Sequence, residues 1–260
     1  MTTAATDTDY FVHPRSIVRK IWGKAEVVLF IFAGAAAEFS LNKTVDWLYF
    51  TGKLPHDPIG RLFSTVSYAG KIIFFEKSTA LNVIDKMRQI HRGVEDARGS
   101  VIPDWAYRDV LYMLICYSVS AFELTERKLN REEKEEVFRV FTAVGQRMGL
   151  KDLPGSYNEW VTARAEQLKQ DLEKSSYTTD LYKQYRKHLG AFRYIILLQV
   201  QSRLVPAEVS ALLGLRPSLI LPVAIRIYKI FTLLHIDFLI RLILLPSKYR
   251  SQFRELEHRG

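Results

Sequence analysis

At 260 residues the chain is long enough for one large domain or two small ones, and an apolar fraction of 48 % is that of a globular protein, not a fibrous or disordered one. Its single cysteine, Cys116, excludes an internal disulfide framework and a thiolate metal cluster, and reads as a small buried hydrophobe. The net charge is +9, all of it in residues 181–260, where thirteen Lys and Arg face four acids.

Residues 1–20 carry Asp7, Asp9, Arg15, Arg19 and Lys20 and no apolar run, so they read as an N-terminal extension and not as a signal peptide. Ile17 to Leu41 reads as helix, and its small-residue run Ala33-Gly-Ala-Ala-Ala37 would admit another group at close range. Pro58 to about Glu76 is predicted as a helix with Asp57 as N-cap and proline in the first turn. An amphipathic helix follows Ser78-Thr79, and Pro103 to Leu129 is a long apolar one. Asn130-Arg-Glu-Glu combines an N-cap with acids in the first turn and opens a helix that Gly149 stops.

A loop at Lys151 to Ser156 precedes a helix from Tyr157 to Leu172. A break at Ser175 to Asp180 precedes two to four further helices, punctuated by Pro206, Pro217, Pro222 and Pro246. The window Leu219 to Leu245 is the most apolar, yet Arg226, Lys229, His235, Asp237 and Arg241 interrupt it. It reads as buried helix or interfacial segment, not as a membrane span. Period-two alternation and hairpin dipeptides are missing. The prediction is an all-α fold, a single helical domain.

The basic third is also strongly aliphatic, as in Tyr194-Ile-Ile-Leu-Leu. That mixture suits peripheral contact with an anionic membrane surface better than nucleic acid, for which no aromatic stacking platform is evident. Catalytic signatures such as a nucleophile elbow, a P-loop or a His-Glu-x-x-His pair are absent, and no two of the six histidines stand three or four apart.

Two helix faces remain for chemistry. Ala80, Val83, Ile84, Met87 and His91 share one face, so the His91 imidazole points where apolar side chains point. Such a histidine is either a hydrogen-bonded core residue or a ligand, and a lone one suits a cofactor needing a single protein ligand, haem foremost. Arg61, Thr65, Tyr68 and Ile72 form a second face carrying a cation, a hydroxyl and a phenol. Its plainer reading is an Arg capping a neighbouring helix, with Thr65 bonded back to a carbonyl.

The spaced pattern Asp57-Pro58-x-x-Arg61-Leu62-x-x-Thr65 is followed by Phe74-Phe75-Glu76, Ala80, His91-Arg-Gly-Val94 and Trp105-Ala-Tyr107. Further on come Leu129 with Glu132 and Glu133, then Gly145, Gly149, Leu153-Pro154 and the closing Leu244-Leu245-Pro246-Ser-Lys-Tyr249-Arg250. This series resembles the catalytic domain shared by the fungal MpaB-type oxygenases and the bacterial latex clearing proteins (rubber oxygenases), over roughly residues 20–250. The resemblance implies an all-α fold with a globin-like core and haem b held by the histidine matching His91. It places an Arg and a Thr, matching Arg61 and Thr65, beside the haem and its dioxygen pocket. It also implies oxidative cleavage of carbon–carbon double bonds in isoprenoid chains and, for the fungal branch, endoplasmic reticulum membranes. The chain departs from the family at Gly34 to Ala37, where a His-Pro pair is usual. It departs again at Leu111 to Ile115, where Trp-Val-His is frequent, and at Ser64, where the rubber oxygenases have a lysine.

The resulting expectation is a haem-dependent oxygenase, with a haem-binding helical domain over 21–250 and a tail over 251–260. His91 is the iron ligand and cofactor-binding residue, its other ring nitrogen held by a carboxylate or carbonyl. Arg61 and Tyr68 join it in cofactor binding, and Arg61 and Thr65 are the catalytic candidates. The partners are dioxygen and a hydrophobic isoprenoid or terpenoid substrate of secondary metabolism, in a pocket with Phe63, Phe74 and Tyr68. Glu38 and Asp46 are candidate bases. Nucleic acid is not expected, and the location is intracellular, at the endoplasmic reticulum membrane. A haem-dependent isomerase or cyclase on the same fold, or a non-enzymatic helical lipid-binding protein, stays open beside it.

Overall fold

A computed structural model of the chain describes residues 9–52 and 56–216. The basic aliphatic window from Leu219 and the closing Leu244 to Arg250 segment lie outside the described residues. Ten helices account for the described fold: α1 Ile17–Trp22, α2 Ala25–Phe39, α3 Val45–Phe50, α4 Pro58–Phe74 and α5 Lys77–Arg98, then α6 Asp104–Thr125, α7 Arg131–Met148, α8 Tyr157–Gln170, α9 Ser176–Leu204 and α10 Ala207–Leu213. The described residues form no strand, only the isolated bridges Tyr10–Glu76 and Asn42–Leu172. The protein is an all-α single domain.

The helix ends follow local chemistry. Asp57 caps α4, its carboxylate accepting the Gly60 N–H at 3.0 Å, with Pro58 in the first turn. Asn130 and Glu133 form a reciprocal capping box on α7, and left-handed Gly149 closes it. The first long helix departs from expectation by breaking at Gly23, so α1 and α2 are separate. The long α9 bends at Gly190, whose φ of 74° suits a residue without a Cβ.

The core forms where α2 and α6 meet. Val27, Val28, Ile31 and Phe32 of α2 pack with Leu111, Met113, Ile115, Tyr117 and Phe122 of α6, and α1 and α7 add Ile21, Trp22, Val137 and Phe141. The small-residue run of α2 does admit a close neighbour: a Cβ on Gly34 would overlap the Tyr117 ring. With its ring against that backbone, Tyr117 reaches Glu38 and donates its hydroxyl at 2.7 Å.

α4 and α5 form an antiparallel hairpin turning at Phe75 and Glu76. Ile72 of α4, Ile84 of α5 and Val144 of α7 make the buried cluster that docks the hairpin on the bundle, with Val83 and Met87 beside it. Each fully buried aliphatic side chain there contributes about 1.5–3 kcal/mol. The fully buried residues of α5, Ala80 and Ile84, both lie in its first half. Its second half, carrying His91, Glu95 and Arg98, is half-covered. No helix among the described residues is long and apolar enough to cross a membrane.

Candidate functional site

The hairpin geometry decides which residues meet. Arg61 stands 13 positions before the end of α4 and His91 stands 14 after the start of α5. At 1.5 Å per residue, both lie about 20 Å from the turn, so they face each other across the hairpin. The charges register this. The His91 imidazole is held below its ordinary pKa, first by burial and then by the Arg61 guanidinium, with Glu95 opposing. It is therefore kept neutral, the form that ligates a metal.

His91 Nδ1 is buried and has no hydrogen-bond partner among the described residues. Glu95, one turn further along α5, is engaged elsewhere: its Oε1 accepts the Ile102 N–H at 2.9 Å and the Tyr107 hydroxyl at 3.2 Å. The Tyr107 ring lies edge-on to the imidazole, 5.2 Å between centroids. A buried imidazole nitrogen without a partner is a poor core feature and a fitting ligand or positioning nitrogen. The described residues contain no group of three or more His, Cys, Asp or Glu that could hold a metal. A single imidazole with an unpartnered nitrogen is a donor set that fits a cofactor taking one protein ligand.

Of the other residues singled out in the sequence, Arg61, Thr65 and Tyr68 are all half-buried on α4. The Thr65 hydroxyl donates to the Arg61 carbonyl at 3.1 Å, so the back-bonded arrangement is the one adopted. Arg61 Nη1 donates to Ser64 Oγ at 3.3 Å. Ser64 therefore steadies the guanidinium. Phe63 is buried on the same helix, but Phe74 lies at its far end under Arg19, 5.7 Å from the ring centroid. The structure thus parts Phe74 from the pocket expected to contain it.

Neither candidate base is free. Glu38, fully buried, accepts both Arg164 Nη1, at 2.5 Å, and Nη2 together with the Tyr117 hydroxyl. Burial pulls the Arg164 pKa down, but the Glu38 charge overrides it and raises it. Asp46 is ion-paired to Arg98 at 2.5 Å. Sequence reasoning passed over Glu95 and Arg98, although they stand four and seven positions after His91, the spacing of one helix face.

A second polar region lies on the other side of α6. Tyr107 faces His91, whereas its neighbour Arg108, with Tyr112, Gln167 and Asp171, lines a cleft of about 520 Å³ between α6, α8 and the loop before α8. Behind it Asp109, fully buried, accepts the Asn42 side-chain N–H at 2.7 Å. Burial, with the Asp171 charge next, pushes its pKa up to about 7. This polar cleft is not the lipophilic pocket expected around α4.

No curated protein and no solved structure matches the chain significantly. A family match does exist, over residues 20–231, stopping short of the closing Leu244 to Arg250 segment. The matched stretch contains the whole α4–α5 hairpin and most of the chain, so the protein belongs to the family described as ER-bound oxygenase mpaB/B′/rubber oxygenase, catalytic domain.

Proposed function

We propose that this oxygenase-family protein is haem-dependent and cleaves carbon–carbon double bonds of a lipophilic isoprenoid or terpenoid substrate with dioxygen. The observation that carries the reading is the half-buried His91 imidazole, held below its ordinary pKa and with its Nδ1 unpartnered among the described residues, set level with Arg61 across the hairpin. His91 would hold haem b, which supplies the redox chemistry toward dioxygen that side chains alone lack.

The chain's own residues do the remaining work. Arg61, steadied by Ser64, keeps a fixed cation beside the imidazole and stabilises negative charge that develops there. The Thr65 hydroxyl sits one turn further along the same face; rotation away from the Arg61 carbonyl would turn its proton into the site. Tyr68 follows on that face as an apolar wall with a polar tip. Tyr107 packs its ring against His91 and fixes the ring plane through its bond to Glu95.

The family description names an ER-bound oxygenase beside the rubber oxygenase, and the apolar, basic C-terminal third suits peripheral contact with an anionic membrane surface. The proposed haem-binding unit is residues 21–250.

Reconstitution with haem tests the reading. The wild type is expected to develop a Soret band, and His91→Ala to lose it while keeping its helical circular dichroism. Oxygen uptake with a prenylated substrate should then follow haem content. A wild type without a Soret band, or a His91→Ala protein with an unchanged spectrum, overturns the proposal.

A further inference from the structure

We propose that Arg98 is a carboxylate-binding residue that receives the propionates of the haem, leaving Arg61 to the reacting face. This rests on the haem-dependent reading above and assigns that site a second anchoring point.

Arg98 is held in an unusual way. Its Nη2 is fixed by Asp46 at 2.5 Å, and its guanidinium lies over the Trp47 ring, 4.0 Å from the centroid, with Phe50 at 5.5 Å. Asp46, Trp47 and Phe50 all belong to α3, so the short helix serves as a clamp on the end of α5. The other arm of the fork, Nη1, is buried and has no hydrogen-bond partner among the described residues. A buried cationic N–H without an acceptor is costly to keep. A guanidinium with one arm locked and the other unmet is preorganised for an incoming carboxylate.

Its position says which carboxylate. Arg98 follows His91 by seven residues, two turns along the same face of α5, or about 10 Å along the axis. Haem b is a flat ring ligated at its centre, with two carboxylate arms on one edge. Arg98 therefore stands where an edge would be, not where the centre would be. Arg61 does not compete for this role. It lies opposite the imidazole, and its Nη1 is already given to Ser64. The His91 imidazole and the unpartnered buried Nη1 of Arg98 thus share one helix face, and one ligand with a metal centre and anionic arms would engage both.

The test compares two probes, haem b and its dimethyl ester, whose arms carry no charge. Each is titrated into the apoprotein at the Soret maximum. Wild type is expected to bind haem b roughly tenfold or more tightly than the ester, as charge-assisted hydrogen bonds warrant. Arg98→Gln is expected to lose that preference, Arg98→Lys to keep part of it, and Arg61→Gln to keep it in full. Equal affinity of the wild type for the two probes overturns the assignment even should Arg98→Gln fail to fold. So does an undiminished preference in Arg98→Gln, or its loss in Arg61→Gln. A wild type that binds neither probe overturns the haem reading itself, which separates the two failures.

Discussion

Arg61 lies level with His91 across the α4–α5 hairpin, close enough for its charge to hold the imidazole below its ordinary pKa. Burial acts in the same direction and more strongly, while Glu95 opposes both. Removing the cation should raise the His91 pKa in the haem-free protein, and Glu95→Gln should lower it further. Imidazole proton resonances followed through a pH titration read both shifts. A His91 pKa unmoved by Arg61→Gln would show that the two side chains do not face each other in solution.

The ion pair of Glu38 with Arg164 is buried on both sides, at 0 % and 6 % side-chain exposure. Replacing Glu38 with Gln leaves the guanidinium uncompensated and should cost about 3–5 kcal/mol in urea unfolding. Replacing both partners, as in Glu38→Leu with Arg164→Met, should cost less than the single change. A double variant weaker than either single one would contradict this account.

Gly34 is occupied from outside by Tyr117. Gly34→Ala adds a methyl where the ring lies, so overpacking of about 1–3 kcal/mol is expected despite alanine's better helix propensity. In a Tyr117→Leu background the loss should shrink, because the two sites share one space. Equal losses in both backgrounds would place the ring elsewhere.

Asp109 titrates in the folded protein at about 7, well above the ordinary carboxylate value of 3.8. Between those values the folded chain binds the proton and the unfolded chain does not. Stability from this group is therefore present below about pH 4 and is lost as pH rises toward 7, at about 1.4 kcal/mol per unit at most. Asp109→Asn, which can still accept from Asn42, should flatten that slope and gain stability relative to wild type at pH 8. Parallel stability–pH curves for the two proteins between pH 4 and 7 would be the contrary result.

Much of the fold was legible because its signals are local. Asp57-Pro58, Asn130 with Glu133, and Gly149 act through backbone groups within three or four residues of themselves, so their helix ends could be read directly. The His91 face was legible for the same reason, since period 3.6 is a property of one helix. The break at Gly23 and the end of α6 at Thr125 were not. Lys24-Ala-Glu26 follows the first and Glu126-Arg-Lys128 the second, and such residues form helix readily, so the local sequence marks neither end sharply.

The site divides in the same way. The sequence alone, through residue spacing and the family pattern it carries, determined the oxygenase family, the all-α class and the candidates His91, Arg61 and Thr65. Only the tertiary structure decided that Arg61 meets His91, that Phe74 does not, that Glu38 is spent on Arg164, and that Arg98 is clamped by α3 with one arm unmet. The physical reason is range. Caps and faces are fixed over one or two turns. The height at which two antiparallel helices bring their side chains together depends on where the hairpin turns, and the pairing of a buried charge depends on a partner more than a hundred residues away.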